Sequence, residues 1–172
     1  FLVKGIGVSE VVVGYDHKFG SNRQGSTEEL VRMGKEFNFS VFTLHPFTVN
    51  GEIVSSTRIR RALAVGDVAR VEVLLGRSYF FCGTVVKGDG RGKTIGYPTA
   101  NILMDSSAKM VPANGVYLVG VEIEGKNLFG MMNIGVRPTV TQGVQHTVEV
   151  HLFGFRRDIY GAQLKVRMLK RL

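Results

Sequence analysis

The stretch "KGDGRGKTIGYPTAN", Lys87 to Asn101, is rich in glycine, cations and small polar side chains, the types that hold phosphate. It nearly spells a Walker P-loop. Gly92-Lys93-Thr94 supplies the end of that motif, but its first glycine would fall on Lys87, and Gly88 comes one residue late. A P-loop also feeds a helix, whereas Pro98 drives Tyr97 out of the α region. Two readings remain. Asp89-Gly90 is a strong hairpin signal. Alternatively, Gly88, Gly90 and Gly92 form a flap whose backbone N–H groups approach an oxyanion, with Arg91 and Lys93 adding charge.

Just downstream, in an extended "PTAN", Thr99 and Asn101 point to one face while Ala100 and Ile102 point to the other. A hydroxyl and an amide oxygen side by side are hard, neutral donors of the kind magnesium accepts when phosphates supply the negative charge. The plainer reading is a solvated strand face. In "HTVEVHLF", Val148, Val150 and Leu152 share one face, and Thr147, Glu149 and His151 share the other. Glu149 is thus either a general base in a cleft or an ordinary solvent-facing acid. Finally, "SSTRIRR" places Ser55, Ser56, Thr57 and Arg58 where a helix begins, so hydroxyls, free N–H groups and a cation converge. A capped, basic surface helix accounts for it equally well.

The elements that must position these residues fall into two kinds. Before Gly76 strands and helices alternate, the rhythm of a parallel α/β sheet. "EVVVGYD" and "SVFTLH" read as strands, and "STEELVRMGKEFNF" as a helix with Ser26 and Glu29 in capping-box spacing. "SSTRIRRALAVGD" and "DVARVEVLLGR" read as two more helices, the second capped by Asp67 and closed by Gly76. After Gly76 come six short strand candidates: "YFFCGTVVK", "PTANIL", "GVYLVGVEI", "NLFGMMNIG", "HTVEVHLF" and "QLKVRML". That spacing indicates an all-β barrel or sandwich. A boundary is expected near residues 76 to 79.

The 172 residues suffice for one sizeable domain or two small ones. The single cysteine, Cys82, permits no internal disulfide and fits a reducing, cytoplasmic compartment. The opening is too short and too interrupted by charge to span a bilayer, and it lacks a signal-peptide layout. It reads as a domain already under way, and sequence before Phe1 is expected. A net charge of +8 suits anionic partners. A basic β-barrel that binds nucleic acid without catalysis is therefore the alternative from another class. Such a module needs exposed aromatics among cations, whereas Phe80, Phe81, Tyr117 and Phe129 fall within apolar runs that core packing explains better.

Together, "GTVVKGDGRGKTIGYPTANI", "GVYLVGVEI", "MNIGVRPT" and "HTVEVHLFGFRRDIYGAQLKV" resemble the riboflavin kinase family in order and spacing, from about Arg77 to the end. "VVVGYDHKFG" and "GEIVSSTRIRRALAVGDVARVEVLLGR" resemble the adenylyltransferase half of the bacterial two-domain riboflavin kinase/FAD synthetases. The resemblance implies part of a Rossmann-like nucleotidyltransferase domain over residues 1–76. A six-stranded riboflavin kinase barrel over 77–172 follows, without the family's C-terminal helix. It implies riboflavin, FMN and ATP as substrates, Mg²⁺ as cofactor, and neither nucleic acid nor membrane as partner. Carried over by position, Thr99 and Asn101 would sit at the metal and the ATP phosphates. Gly88, Gly90, Arg91, Gly92 and Lys93 would form the nucleotide flap, and Glu149 would be the base at the riboflavin 5′-hydroxyl. Ser55, Ser56, Thr57 and Arg58 would hold ATP in the adenylyltransferase half. The chain departs from the pattern in three places. The H-x-G-H signature of the adenylyltransferases is absent, the C-terminal helix is absent, and Gly154 stands where the family often has Asp.

Overall fold

Alternating apolar residues after Gly76 build a closed barrel. A computed structural model of the protein describes residues 2–88, 98–138 and 144–172. The chain divides into two compact units, Phe1–Ile53 and Val54–Leu172.

In the first unit, β1 (Glu10–Gly14) and β2 (Ser40–Leu44) pair in parallel, and the crossover between them carries α1 (Thr27–Phe37). Ser26 caps α1 by accepting from the Glu29 N–H at 3.3 Å, and Asn38 ends it in the left-handed region at φ 58°. Val13, Leu30 and Phe39 form a small core. Two features carry no counterpart in the sequence reading. One is a π-helical turn at Leu2–Ile6, and the other is a two-residue hairpin of β3 (Thr48–Val49) and β4 (Glu52–Ile53). Its turn, Asn50-Gly51, has both φ positive, as this turn type requires.

The second unit contains α2 (Ser56–Ala64), α3 (Val68–Leu75) and the strands β5 (Phe80–Val86), β6 (Ala100–Met104), β7 (Gly115–Ile123), β8 (Lys126–Pro138), β9 (Val144–Leu152) and β10 (Gln163–Arg171). The six strands close in the order β10-β5-β6-β9-β8-β7, each antiparallel to its neighbours. Period-two alternation decides what lies inside. Phe81, Tyr117, Val119, Met132, Val150, Val166 and Met168 are each at most 1% exposed, so the barrel is filled by its own side chains. Ala62 and Leu63 of α2 and Val68 and Val71 of α3 belong to the same core. Both helices therefore pack into the core of the barrel.

The four aromatics expected in the core divide. Phe81 and Tyr117 are buried, but Phe129 is 62% exposed. Phe80 lies on the outer wall because it alternates with Phe81, and its ring is flanked by Arg77, Lys109 and Lys165 at 5.0, 4.6 and 5.1 Å. Strand parity overrides hydrophobicity at both positions.

Candidate active site

Strand pairing brings the polar residues of three strands into one row on the outer wall. Asn101 of β6 stands opposite Glu149 of β9, and Glu149 stands opposite Asn133 of β8. Inward-facing Val148, Val150 and Leu152 anchor β9 in the core, each no more than 5% exposed, and this fixes Glu149 outward. Glu149 is half-buried, and its Oε2 accepts a hydrogen bond from Thr99 Oγ1 at 3.3 Å. Thr99 directly precedes β6, and its position is held from behind. His151, two residues beyond Glu149 on the same face, has Nδ1 2.9 Å from the Pro98 carbonyl oxygen. A carbonyl only accepts, so Nδ1 carries the proton.

Gly88 approaches the same row from β5. A Cβ there would come within 2.0 Å of Asn101 Nδ2, so any larger residue would have to displace the Asn101 amide. Of the other flap residues, Gly90, Arg91, Gly92 and Lys93 lie outside the described residues.

Beside Thr99 opens a cleft of about 250 Å³, bounded by Pro98–Ala100, Val150 and the Phe155–Tyr160 segment. That segment is tied down on several sides. Arg157 pairs with Glu124, the Tyr160 N–H donates to Asp158 Oδ1 at 3.0 Å, and the Gly161 N–H donates to the Val85 carbonyl at 2.9 Å. Gly154, just ahead of it, has φ +66°, a region that glycine adopts freely and that Asp tolerates better than most residues.

Among the described residues no cluster of three or more His, Cys, Asp or Glu side chains could hold a metal ion. The row offers oxygen donors instead: the Thr99 hydroxyl, the Asn101 amide and the Glu149 carboxylate. This set suits a hard cation that brings its remaining ligands as phosphate and water, and it would not suit zinc.

The chain matches the family "Flavokinase: Riboflavin kinase" over residues 75–172. It belongs to the riboflavin kinase family. Residues 1–58 match a second family, FAD synthetase. The bifunctional riboflavin kinase/FMN adenylyltransferase of Haemophilus influenzae is 40% identical over 172 residues, covering 99% of this chain and 55% of that protein. Its namesakes in Escherichia coli K12 and Bacillus subtilis are 40% and 38% identical, covering 99% and 98% of this chain and 54% and 53% of theirs. The chain thus spans about half the length of these relatives. A solved structure described as a macrolide-efflux protein from Streptococcus pneumoniae superposes with a TM-score of 0.86 at 36% identity, covering 99% of this chain and 54% of that one. In the riboflavin kinase barrel seen here the inner face is the apolar core, and polar residues line the outer wall around Glu149. A membrane-spanning barrel instead has a polar interior. No described helix is long and apolar enough to cross a membrane. The family match displaces the nucleic-acid-binding alternative.

The adenylyltransferase candidates cluster at one helix end. Ser55 is the N-cap of α2, its Oγ accepting from the Arg58 N–H at 3.3 Å, and Ser56, Thr57 and Arg58 form the exposed first turn. That turn contains no acidic residue, and Ser56 Oγ accepts from Arg60 Nη1 at 3.0 Å. Asn133 and His151 are the residues of the row and its support that were not singled out as site residues from the sequence. The outward parity that exposed Glu149 also marked His151. Asn133 becomes visible only once the β8–β9 register is known.

Proposed function

We propose that the barrel is a riboflavin kinase that transfers the γ-phosphoryl group of Mg-ATP to the riboflavin 5′-hydroxyl, giving FMN and ADP. The observation that carries this reading is the hydrogen bond between Thr99 and Glu149, with Asn101 in register beside them. It joins a phosphate-type stretch and a carboxylate fifty positions apart at one spot on the outer wall. Glu149 orients the hydroxyl and takes its proton, and Thr99 and Asn101 are the donors that would hold the magnesium. Bound magnesium neutralises charge on the transferring phosphate. Gly88, Gly90, Arg91, Gly92 and Lys93 are the residues proposed to contact the phosphates. Positioning and charge stabilisation do most of the work in such a transfer, since little covalent chemistry falls to the protein.

Residues 1–76 are proposed as the C-terminal portion of an FMN adenylyltransferase and residues 77–172 as the kinase. In the intact protein, FMN and ATP would then give FAD and pyrophosphate. Ser55, Ser56, Thr57 and Arg58 would hold ATP phosphates at the start of α2, where free N–H groups face an anion. We infer a cytoplasmic protein that acts on these small molecules, with neither nucleic acid nor membrane as partner.

Chromatographic separation of flavins after incubation with riboflavin, ATP and magnesium tests both halves. FMN from this chain, and FAD in addition from the intact protein, are the expected products. Riboflavin left unchanged by a folded chain would overturn the kinase assignment.

A further inference from the structure

We propose that Arg171 is a positioning residue for the phosphate-binding turn of α2, acting from the barrel on the opposite end of that helix. This rests on the reading of Ser55–Arg58 given above.

The last carbonyls of a helix have no partner within it. In α2 they are shared between the turn that follows, where the Val65 and Gly66 N–H groups donate to the Ala62 and Leu63 carbonyls at 3.3 and 3.0 Å, and partners from elsewhere in the fold. The Ala62 carbonyl accepts from the Asp67 N–H at 2.9 Å, and the Leu63 carbonyl accepts from the Ala113 N–H at 3.0 Å. The Val65 carbonyl, at the C-cap, accepts from Arg171 Nη1 at 2.7 Å. Ala113 lies in the segment before β7 and Arg171 ends β10, and the guanidinium has a second hold. Arg171 Nη2 donates to the Asn114 carbonyl at 2.9 Å, so one planar group bridges the end of α2 and the segment leading into β7.

The bridge is built into the backbone around it. A Cβ at Gly66 would lie 2.9 Å from Arg171 Nη1, and one at Gly115 would lie 3.0 Å from Nε. The guanidinium therefore occupies a slot between two glycines. β10 shifts register between Met168 and Lys170, an irregularity of the kind that re-aims the side chains beyond it. Tyr117, paired with Arg171 across the sheet, donates its hydroxyl hydrogen to the Ala113 carbonyl and holds the same segment from inside.

The consequence falls at the other end of the helix. From Ser56 to Ala64, α2 is only about 13 Å long at 1.5 Å per residue. A tilt of about 10° about its pinned C-terminus moves the N-terminal turn by roughly 2 Å, more than catalytic positioning tolerates. Arg171 touches no proposed substrate site, so its effect is expected on one activity and not the other.

The experiment uses the intact protein as wild type, Arg171→Met and Arg171→Lys. It measures ATP KM and kcat for FMN adenylylation and for riboflavin phosphorylation, together with Tm. The expected result for Arg171→Met is a rise of about 10-fold in the ATP KM of adenylylation. Riboflavin phosphorylation should stay within about twofold of wild type, and Arg171→Lys, which can reach one carbonyl but not both, should recover part of the loss. Unchanged adenylylation in Arg171→Met would overturn the proposal. So would a matching loss of both activities with a lowered Tm, which would make Arg171 a stability residue only. A wild-type protein that makes FMN but no FAD would instead bring down the reading of Ser55–Arg58, and this inference with it.

Discussion

Thr99 and Glu149 meet because β6 and β9 are neighbours in the barrel, and the chemistry proposed here depends on that pairing. Loss of the Thr99 hydroxyl should weaken magnesium–ATP binding while leaving riboflavin binding alone. Titration calorimetry of Thr99→Ala with ATP, with and without magnesium, checks this, and an unchanged magnesium dependence would place Thr99 away from the metal. Gly88→Ala is expected to act on the same quantity by another route, because its methyl group would push the Asn101 amide aside. Nucleotide affinity should fall in that variant with little change in Tm. Much of this site was legible at residue level. The outward parity of Glu149, Thr99 and Asn101 follows from apolar neighbours in a strand of period two, which needs no tertiary information. Asn133 was not legible, because its place beside Glu149 depends on a register that spacing along the chain does not fix. The outward turn of Phe80 and Phe129 runs against their hydrophobicity, because strand parity and not side-chain character decides which way each ring points.

At the scale of elements, punctuation residues set the boundaries. Ser26, Ser55 and Asp67 each accept from a backbone N–H three residues on, and Gly76 ends α3 at φ +67°. Asp67→Ala should cost about 1 kcal/mol, the usual value of such a cap, read from urea unfolding. Gly66 and Gly76 make a sharper comparison. Both have positive φ, but a Cβ at Gly76 meets nothing within 4 Å, whereas one at Gly66 would come within 2.7 Å of the Tyr117 hydroxyl. Gly76→Ala is therefore expected to cost roughly 1 kcal/mol from backbone strain alone. Gly66→Ala should cost clearly more, since it also disturbs Tyr117 and Arg171. Equal losses in the two would show that the packing around Gly66 is slack. These helix ends could be read from the sequence because caps are local. The β3–β4 hairpin is equally local, signalled by Asn50-Gly51, but its two-residue strands are too short to show an alternation.

At the scale of the molecule, α2 and α3 belong with the barrel. The change of rhythm at Gly76 marks where helices give way to strands, whereas the compact unit begins at Val54 because Leu63, Val68 and Val71 complete the barrel's core. Periodicity reports the type of element and not the core it joins. A chain begun at Val54 should therefore unfold cooperatively, and one begun at Arg77 should melt on the order of 10 °C or more lower, since each such side chain contributes about 1.5–3 kcal/mol. Scanning calorimetry of the two fragments decides this. Alkaline stability follows from the same core. Burial pushes the phenols of Tyr79 and Tyr117 above the ordinary tyrosine range, with the Arg171 charge acting against the shift at Tyr117. The neutral forms are favoured in the folded state, so their contribution is complete below about pH 10 and is lost as pH rises from there through the raised values. The urea midpoint should fall over that window, and less steeply in Tyr117→Phe. The central claim is that this barrel phosphorylates riboflavin with Glu149 as the base. The most direct test is FMN formation by Glu149→Gln alongside its binding of riboflavin and ATP, followed by flavin fluorescence. The account predicts near-normal binding with turnover reduced roughly 10²- to 10⁴-fold. FMN formation at close to the wild-type rate would contradict it.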